Sequence, residues 1–157
     1  MNSPSEWMQQ AIDVAVANVR QGRGGPFGAI VVREGALLAT GANAVTATND
    51  PTAHAEILAI RAACRILGSF QLTGCEIYTS CEPCPMCLGA IYWARPARFY
   101  FASTRADAAL AGFDDSHIYN ELNVIPEMRE IPAGQLLRDQ AEEAFRVWRE
   151  TISRVPY

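Results

Sequence analysis

No stretch of this sequence approaches the roughly 20 consecutive apolar residues that a membrane-spanning helix needs. Residues 1 to 8 hold no apolar core of a leader peptide. Both absences lead to the expectation of a cytoplasmic protein without a membrane partner. There is no excess of basic residues either: 13 Lys and Arg against 17 Asp and Glu leave a formal net charge of −4. A nucleic-acid surface is normally basic, so no nucleic-acid partner is expected. The five cysteines do not pair evenly, which fits reduced thiols and a metal site better than a disulfide framework. Repeats and low-complexity tracts are missing. The glycine-rich turn Gly22 to Gly28 lacks a Gly-Lys-Ser/Thr ending and follows a helical pattern, so it argues against a phosphate cradle. What remains is an ordinary globular composition, half hydrophobic, in 157 residues: enough for one domain with a sizeable core.

Two short segments carry the chemistry. The first, Pro51-Thr52-Ala53-His54-Ala55-Glu56-Ile57, supplies an imidazole and a carboxylate two residues apart. The second, Pro83-Cys84-Pro85-Met86-Cys87, supplies two thiols three apart. Zinc takes imidazole nitrogen and thiolate sulfur in a tetrahedron, and a catalytic site keeps one corner for water. His54, Cys84 and Cys87 are therefore the expected ligands of one zinc ion per chain, with Glu56 as base for the water. Asp50-Pro51 reads as an N-cap and first-turn proline, which puts His54 and Glu56 near a helix start. Pro83 and Pro85 mark a second start, where Cys84 and Cys87 are neighbours. Helix N-termini favour thiolates. A structural zinc site would need a fourth protein ligand, and Cys81 is the candidate. Its place at the end of an expected strand, ahead of Pro83, puts it outside the metal shell.

The remaining chain reads as follows. Ser3 to Glu6 forms a capping box, and Met8, Ile12, Val16 and Val19 give a core-facing helical stripe ending near Gln21-Gly22. Residues 29–32 and 36–39 are strands joined by a tight turn at Glu34-Gly35. Phe27 stands at the mouth of the first strand, placed either to enter the core or to stack on a ring. Asn43 follows the second strand; it is a turn residue or an amide that reads a ligand edge. Ile57, Ile60, Cys64 and Leu67 share a helix face, ended by Gly68. Residues 76–79 and 98–101 are further strands around the cysteine helix, which reaches about Trp93. A short helix over 106–110, a connector over 124–134 and a final amphipathic helix through Ala141, Phe145, Trp148 and Ile152 complete the chain. An opening hairpin followed by alternating helices and strands predicts an α/β fold with a mixed sheet.

The His-x-Glu … Pro-Cys-x-x-Cys arrangement is that of the zinc deaminases that act on nucleobases. The chain resembles the cytidine deaminase-like superfamily over residues 5 to 101. More narrowly, it resembles the bacterial guanine deaminases through the last residue. Carrying the resemblance are residues 24–29, 49–56 and 79–94, with Ala111-Gly112-Phe113-Asp114-Asp115-Ser116 and Tyr157 pointing to guanine. It implies a three-layer α/β/α fold with about five strands. It implies that guanine is the substrate, converted to xanthine and ammonia. It implies that Asn43 and Asp115 read the purine edge, that Phe27 stacks on the ring, and that Tyr157 closes the pocket. It also implies a homodimer in which segment 124–157 is exchanged, so that Asp115 and Tyr157 complete the partner's pocket. The same residues would serve a deaminase of another aminated ring, such as ammeline, cytosine, adenine or tRNA adenosine. A zinc-stabilised binding module without turnover is the rival from another class.

Overall fold

The structure is a computed structural model, and it describes residues 2–157. Its chain divides into two compact units, the first running to Asp115 and the second from Ser116 to Tyr157.

The first unit opens with α1 (Pro4–Arg20), β1 (Gly28–Arg33) and β2 (Ala36–Ala42). Glu34 and Gly35 turn between the strands with φ of 52° and 71°, the left-handed pair that a two-residue hairpin needs. Then come α2 (Val45–Thr48), α3 (Ala55–Leu67), β3 (Cys75–Cys81), α4 (Pro85–Ala94), β4 (Arg98–Ser103) and α5 (Arg105–Leu110). The sheet order is β2-β1-β3-β4. β1 pairs antiparallel with both β2 and β3, and β3 pairs parallel with β4. The mixed sheet expected from the sequence is present. Among the described residues it has four strands, one fewer than the resemblance implies. The segment after β4 carries Pro126, Pro132 and Gly134, and a proline cannot donate to a ladder.

Alternation along β1 separates the layers. Ala29 and Val31 face a core built with Ala55, Ala59, Ile60 and Ala63 of α3 and Ile91 of α4. Ile30 and Val32 face the other way, against Trp7 and Ala11 of α1 and Tyr78 of β3. The sheet thus lies between α1 and the pair α3 and α4, the three-layer arrangement.

The face of α1 differs from the expected stripe. Its buried residues are Trp7, Ala11, Ala15 and Asn18, while Val16 and Val19 are exposed. Close approach explains the choice. A Cβ on Gly28 would strike the Ala11 carbonyl oxygen and sit 2.6 Å from the Ala15 nitrogen, so only small residues fit on that side. Ile12, Val16 and Val19 instead line a cavity of about 520 Å³ shared with Phe27, Ser80 and Phe113.

The second unit contains α6 (Ser116–Leu122), a 3-10 turn over Pro126–Met128, and α7 (Arg138–Glu150). The sequence pattern did not suggest α6, and Ile152 lies past the end of α7 rather than on it. Arg146 of α7 pairs with Glu143 and Glu150 at helical spacing. None of the described residues of this unit is buried. No helix of the described residues is long and apolar enough to cross a membrane.

Candidate active site

The site begins at two helix starts. Asp50 does not cap α3; its carboxylate accepts from the Thr52 backbone N–H at 2.8 Å and from the Thr52 hydroxyl at 2.7 Å. That local turn consumes the cap, and the helix starts four residues later than the Asp-Pro pair suggests. His54 is the N-cap residue, with φ −73° and ψ 155°, and its side chain makes no capping bond. The start of α4 is alike: Cys84 is the N-cap at φ −65° and ψ 169°, again without a side-chain cap, and Pro85 follows in the first turn. Both side chains are thereby free to leave their helices and meet.

They do meet. His54 Nδ1 lies 3.6 Å from Cys84 Sγ and 3.5 Å from Cys87 Sγ. All three ligand atoms lie within 4.8 Å of one another. A tetrahedral zinc with bonds of about 2.0–2.1 Å to nitrogen and about 2.3 Å to sulfur separates those two ligands by about 3.6 Å. The spacing fits the ion, and the donor set of one imidazole and two thiols fits its softness.

Charge at the cluster is poised for a cation. The Cys84 thiol is drawn down to about 4, first by the hydrogen bond from the Cys87 thiol and then by His54. The Cys87 thiol is pushed up, first by that bond, then by burial and by the nearby Glu56 charge. The bond to Cys84 raises His54. The cluster thus favours a thiolate at Cys84, the form that binds a metal ion.

Glu56, two residues beyond His54 in the first turn of α3, is 6% exposed. Burial pushes its carboxyl above the usual range, and the Cys84 thiolate adds to this. Cys81 stays outside the cluster: its sulfur donates to the Thr104 carbonyl at 3.6 Å, and burial raises its thiol to about 11.

The other expected residues lie outside the three-ligand cluster. Ala44 N–H donates to the Ala53 carbonyl at 2.9 Å, which ties the segment after β2 to the residue preceding His54. Asn43, buried, accepts at Oδ1 from the Gly25 N–H at 3.2 Å and the Val45 N–H at 3.4 Å. Phe27 is half-buried and meets Phe113 edge-on, with ring centroids 4.9 Å apart. Asp115 belongs to the first unit, and its carboxyl is raised by burial and then by the Cys84 charge of its own chain. Tyr157 belongs to the second unit and is exposed.

Two residues escaped the sequence reading. Phe113 sits in the segment that resembles guanine deaminases, yet nothing in its local pattern pointed to Phe27. Asn18 is the polar end of the buried face of α1. The run Trp7, Ala11, Ala15, Asn18 at spacings of four, four and three was the available signal.

Comparison with known proteins agrees with this geometry. The family model for the cytidine and deoxycytidylate deaminase zinc-binding region matches residues 1–103. The guanine deaminase of Bacillus subtilis is 51% identical, over 96% of this chain and 97% of that protein. The X-ray structure of the Bacillus subtilis enzyme superposes with a TM-score of 0.97 at 50% identity, covering 100% of this chain and 99% of that one. A tRNA-specific adenosine deaminase of Agrobacterium fabrum is 34% identical, over 72% of this chain and 78% of that protein. The chain therefore belongs to the zinc-binding deaminases of the cytidine and deoxycytidylate type and, within them, to the family of the Bacillus guanine deaminase.

Proposed function

We propose that this protein hydrolyses guanine to xanthine and ammonia, using one zinc ion held by His54, Cys84 and Cys87. The observation that carries the reading is the three-ligand cluster with a buried, raised carboxyl beside it. The full-length likeness to a guanine deaminase supports the choice of ring. A zinc ion bound there supplies a water acidified to near neutrality.

Glu56 does the proton work. It takes a proton from the attacking water and delivers it to N3 of guanine, which makes C2 electrophilic. The water oxygen adds to C2. Glu56 then carries the second water proton to the amino group, ammonia leaves, and the oxygen stays on xanthine. A carboxyl that must accept and release protons in turn is served by a value above the ordinary one, and burial gives Glu56 that shift. Asn43 reads the purine edge as a donor, because its oxygen is held by two backbone N–H groups. Asp115 accepts from purine N–H groups, and Phe27 stacks on the ring.

Tyr157 closes the partner's pocket and excludes water. We read segment 124–157 as exchanged between the subunits of a homodimer. The exposed apolar side chains of the second unit, among them Ile131, Leu136 and Ile152, support a partner surface. Five free cysteines support a reducing, cytoplasmic setting.

Ammonia release from guanine, cytosine, adenine, ammeline and a tRNA anticodon stem is the test. Xanthine formed from guanine at the highest kcat/KM is the expected result. Preference for another ring would reassign the substrate, and no ammonia from any would leave a binding module.

A further inference from the structure

We propose that Asn18 is a positioning residue, which fixes the amide of Asn43 where it meets the substrate. The proposal rests on the reading of Asn43 as the purine-edge donor.

Asn18 is a buried polar side chain, 4% exposed, at the end of the α1 face that packs on the sheet. Its Nδ2 donates twice, to carbonyls of two different loops: Gly25 at 2.9 Å and Asn43 at 2.8 Å. Both of its protons are thereby used. One amide group fastens the glycine-rich turn to the segment after β2. The fastening is returned from the other side. The Gly25 N–H donates to Asn43 Oδ1, and the Asn43 N–H donates to the Phe27 carbonyl at 3.1 Å. The turn itself also hangs from α1 at this point, since the Arg23 N–H donates to the Asn18 carbonyl at 3.0 Å.

These bonds close a ring: Asn18 side chain, Gly25 backbone, Asn43 side chain, Asn43 backbone. The ring has no slack. A Cβ on Gly24 would run into the Asn43 carbonyl oxygen and come within 3.2 Å of Asn18 Nδ2. Within it the oxygen of the Asn43 amide is spoken for, so its donor end is the one left for a ligand. The position of that donor depends on where Gly25 and the Asn43 backbone stand. Asn18 sets the distance between them. A reacting geometry lost by about 1 Å costs on the order of 100-fold in rate.

The test is a double-mutant cycle on the zinc-loaded full chain, reading kcat, KM and zinc content. Asn18→Ala is expected to lower kcat/KM for guanine by about 10- to 100-fold at one zinc per chain. Asn18→Ser, which keeps one donor, should recover part of the loss, and it takes the place of alanine in the cycle if that variant does not fold. In an Asn43→Ala background the same change at Asn18 should have about a two-fold effect or less, because its route to the substrate is gone. Losses that multiply in full would show that Asn18 acts elsewhere and overturn the proposal alone. Wild-type kcat/KM in Asn43→Ala would remove the reading of Asn43, and the proposal with it.

Discussion

Four helices of the first unit begin in the same extended backbone conformation, yet they begin in two different ways. α1 and α5 are closed by their own side chains. Ser3 and Glu6 form one reciprocal box, at 3.3 and 2.6 Å, and Thr104 and Asp107 form another, at 3.3 and 2.8 Å. α3 and α4 begin on His54 and Cys84, and neither side chain caps its helix. A side-chain cap contributes about 0.5–2 kcal/mol. At the two helices that meet in the site this stabilisation is forgone, and the side chains that would supply it converge on one point. The difference teaches where to look for function. A local rule obeyed at α1 and α5 is broken at α3 and α4, and the breaks lie within 4 Å of each other.

The sharpest way to break the comparison is to remove a ligand. His54→Ala and Cys84→Ala are each expected to lose zinc and turnover together, measured by metal analysis and xanthine formation. Retained zinc in either would show that the helix start is not where the ion sits. Next in size is Glu56→Gln, which should keep one zinc per chain while kcat falls about 10²- to 10⁴-fold. Unchanged turnover would take the proton work away from α3.

A smaller effect sharpens the comparison in the opposite direction. His54→Asn places a good cap where the ligand was. In chelator, urea unfolding should show the variant more stable than wild type by about 0.5–2 kcal/mol. A less stable variant would mean that no cap was given up at this position. The smallest effect belongs to the conventional start. Ser3→Ala should cost about 1 kcal/mol and leave zinc content and kcat as they were. The box also sets a pH dependence. The Ser3 backbone N–H holds the Glu6 carboxyl below its ordinary value. Its contribution is therefore whole above the ordinary carboxylate range and is lost as pH falls through the folded value. The stability gap between wild type and Glu6→Ala should close in acid; a gap that widens there would refute this.

The same contrast explains how much could be read from the sequence. The ligand set was legible, because thiols three apart after a proline, and an imidazole and a carboxylate two apart near a helix start, have few other uses in that order. Cys81 could be set aside because it ends a strand, and the structure gives its sulfur another neighbour in Thr104. The start of α3 was misplaced by four residues. Asp50 and Pro51 carry every local sign of a helix start, but the Asp50 carboxylate serves Thr52 instead. The face of α1 was misread for a different reason. Hydrophobicity favours Val16 and Val19, whereas burial follows from how closely the helix lies on Gly28, a distance no sequence pattern holds. Phe113 and Asn18 were missed likewise, since both owe their place to contacts with residues far off in the chain. The second unit was only partly legible, because an amphipathic pattern gives α7 but says nothing of what covers its apolar side chains.

Absorption spectroscopy at the zinc edge tests the central claim most directly. The zinc-loaded protein should show two sulfur neighbours at about 2.3 Å and two nitrogen or oxygen neighbours at about 2.0–2.1 Å, one of them exchangeable. A third sulfur, or a fourth ligand from the chain in place of the exchangeable one, would contradict it.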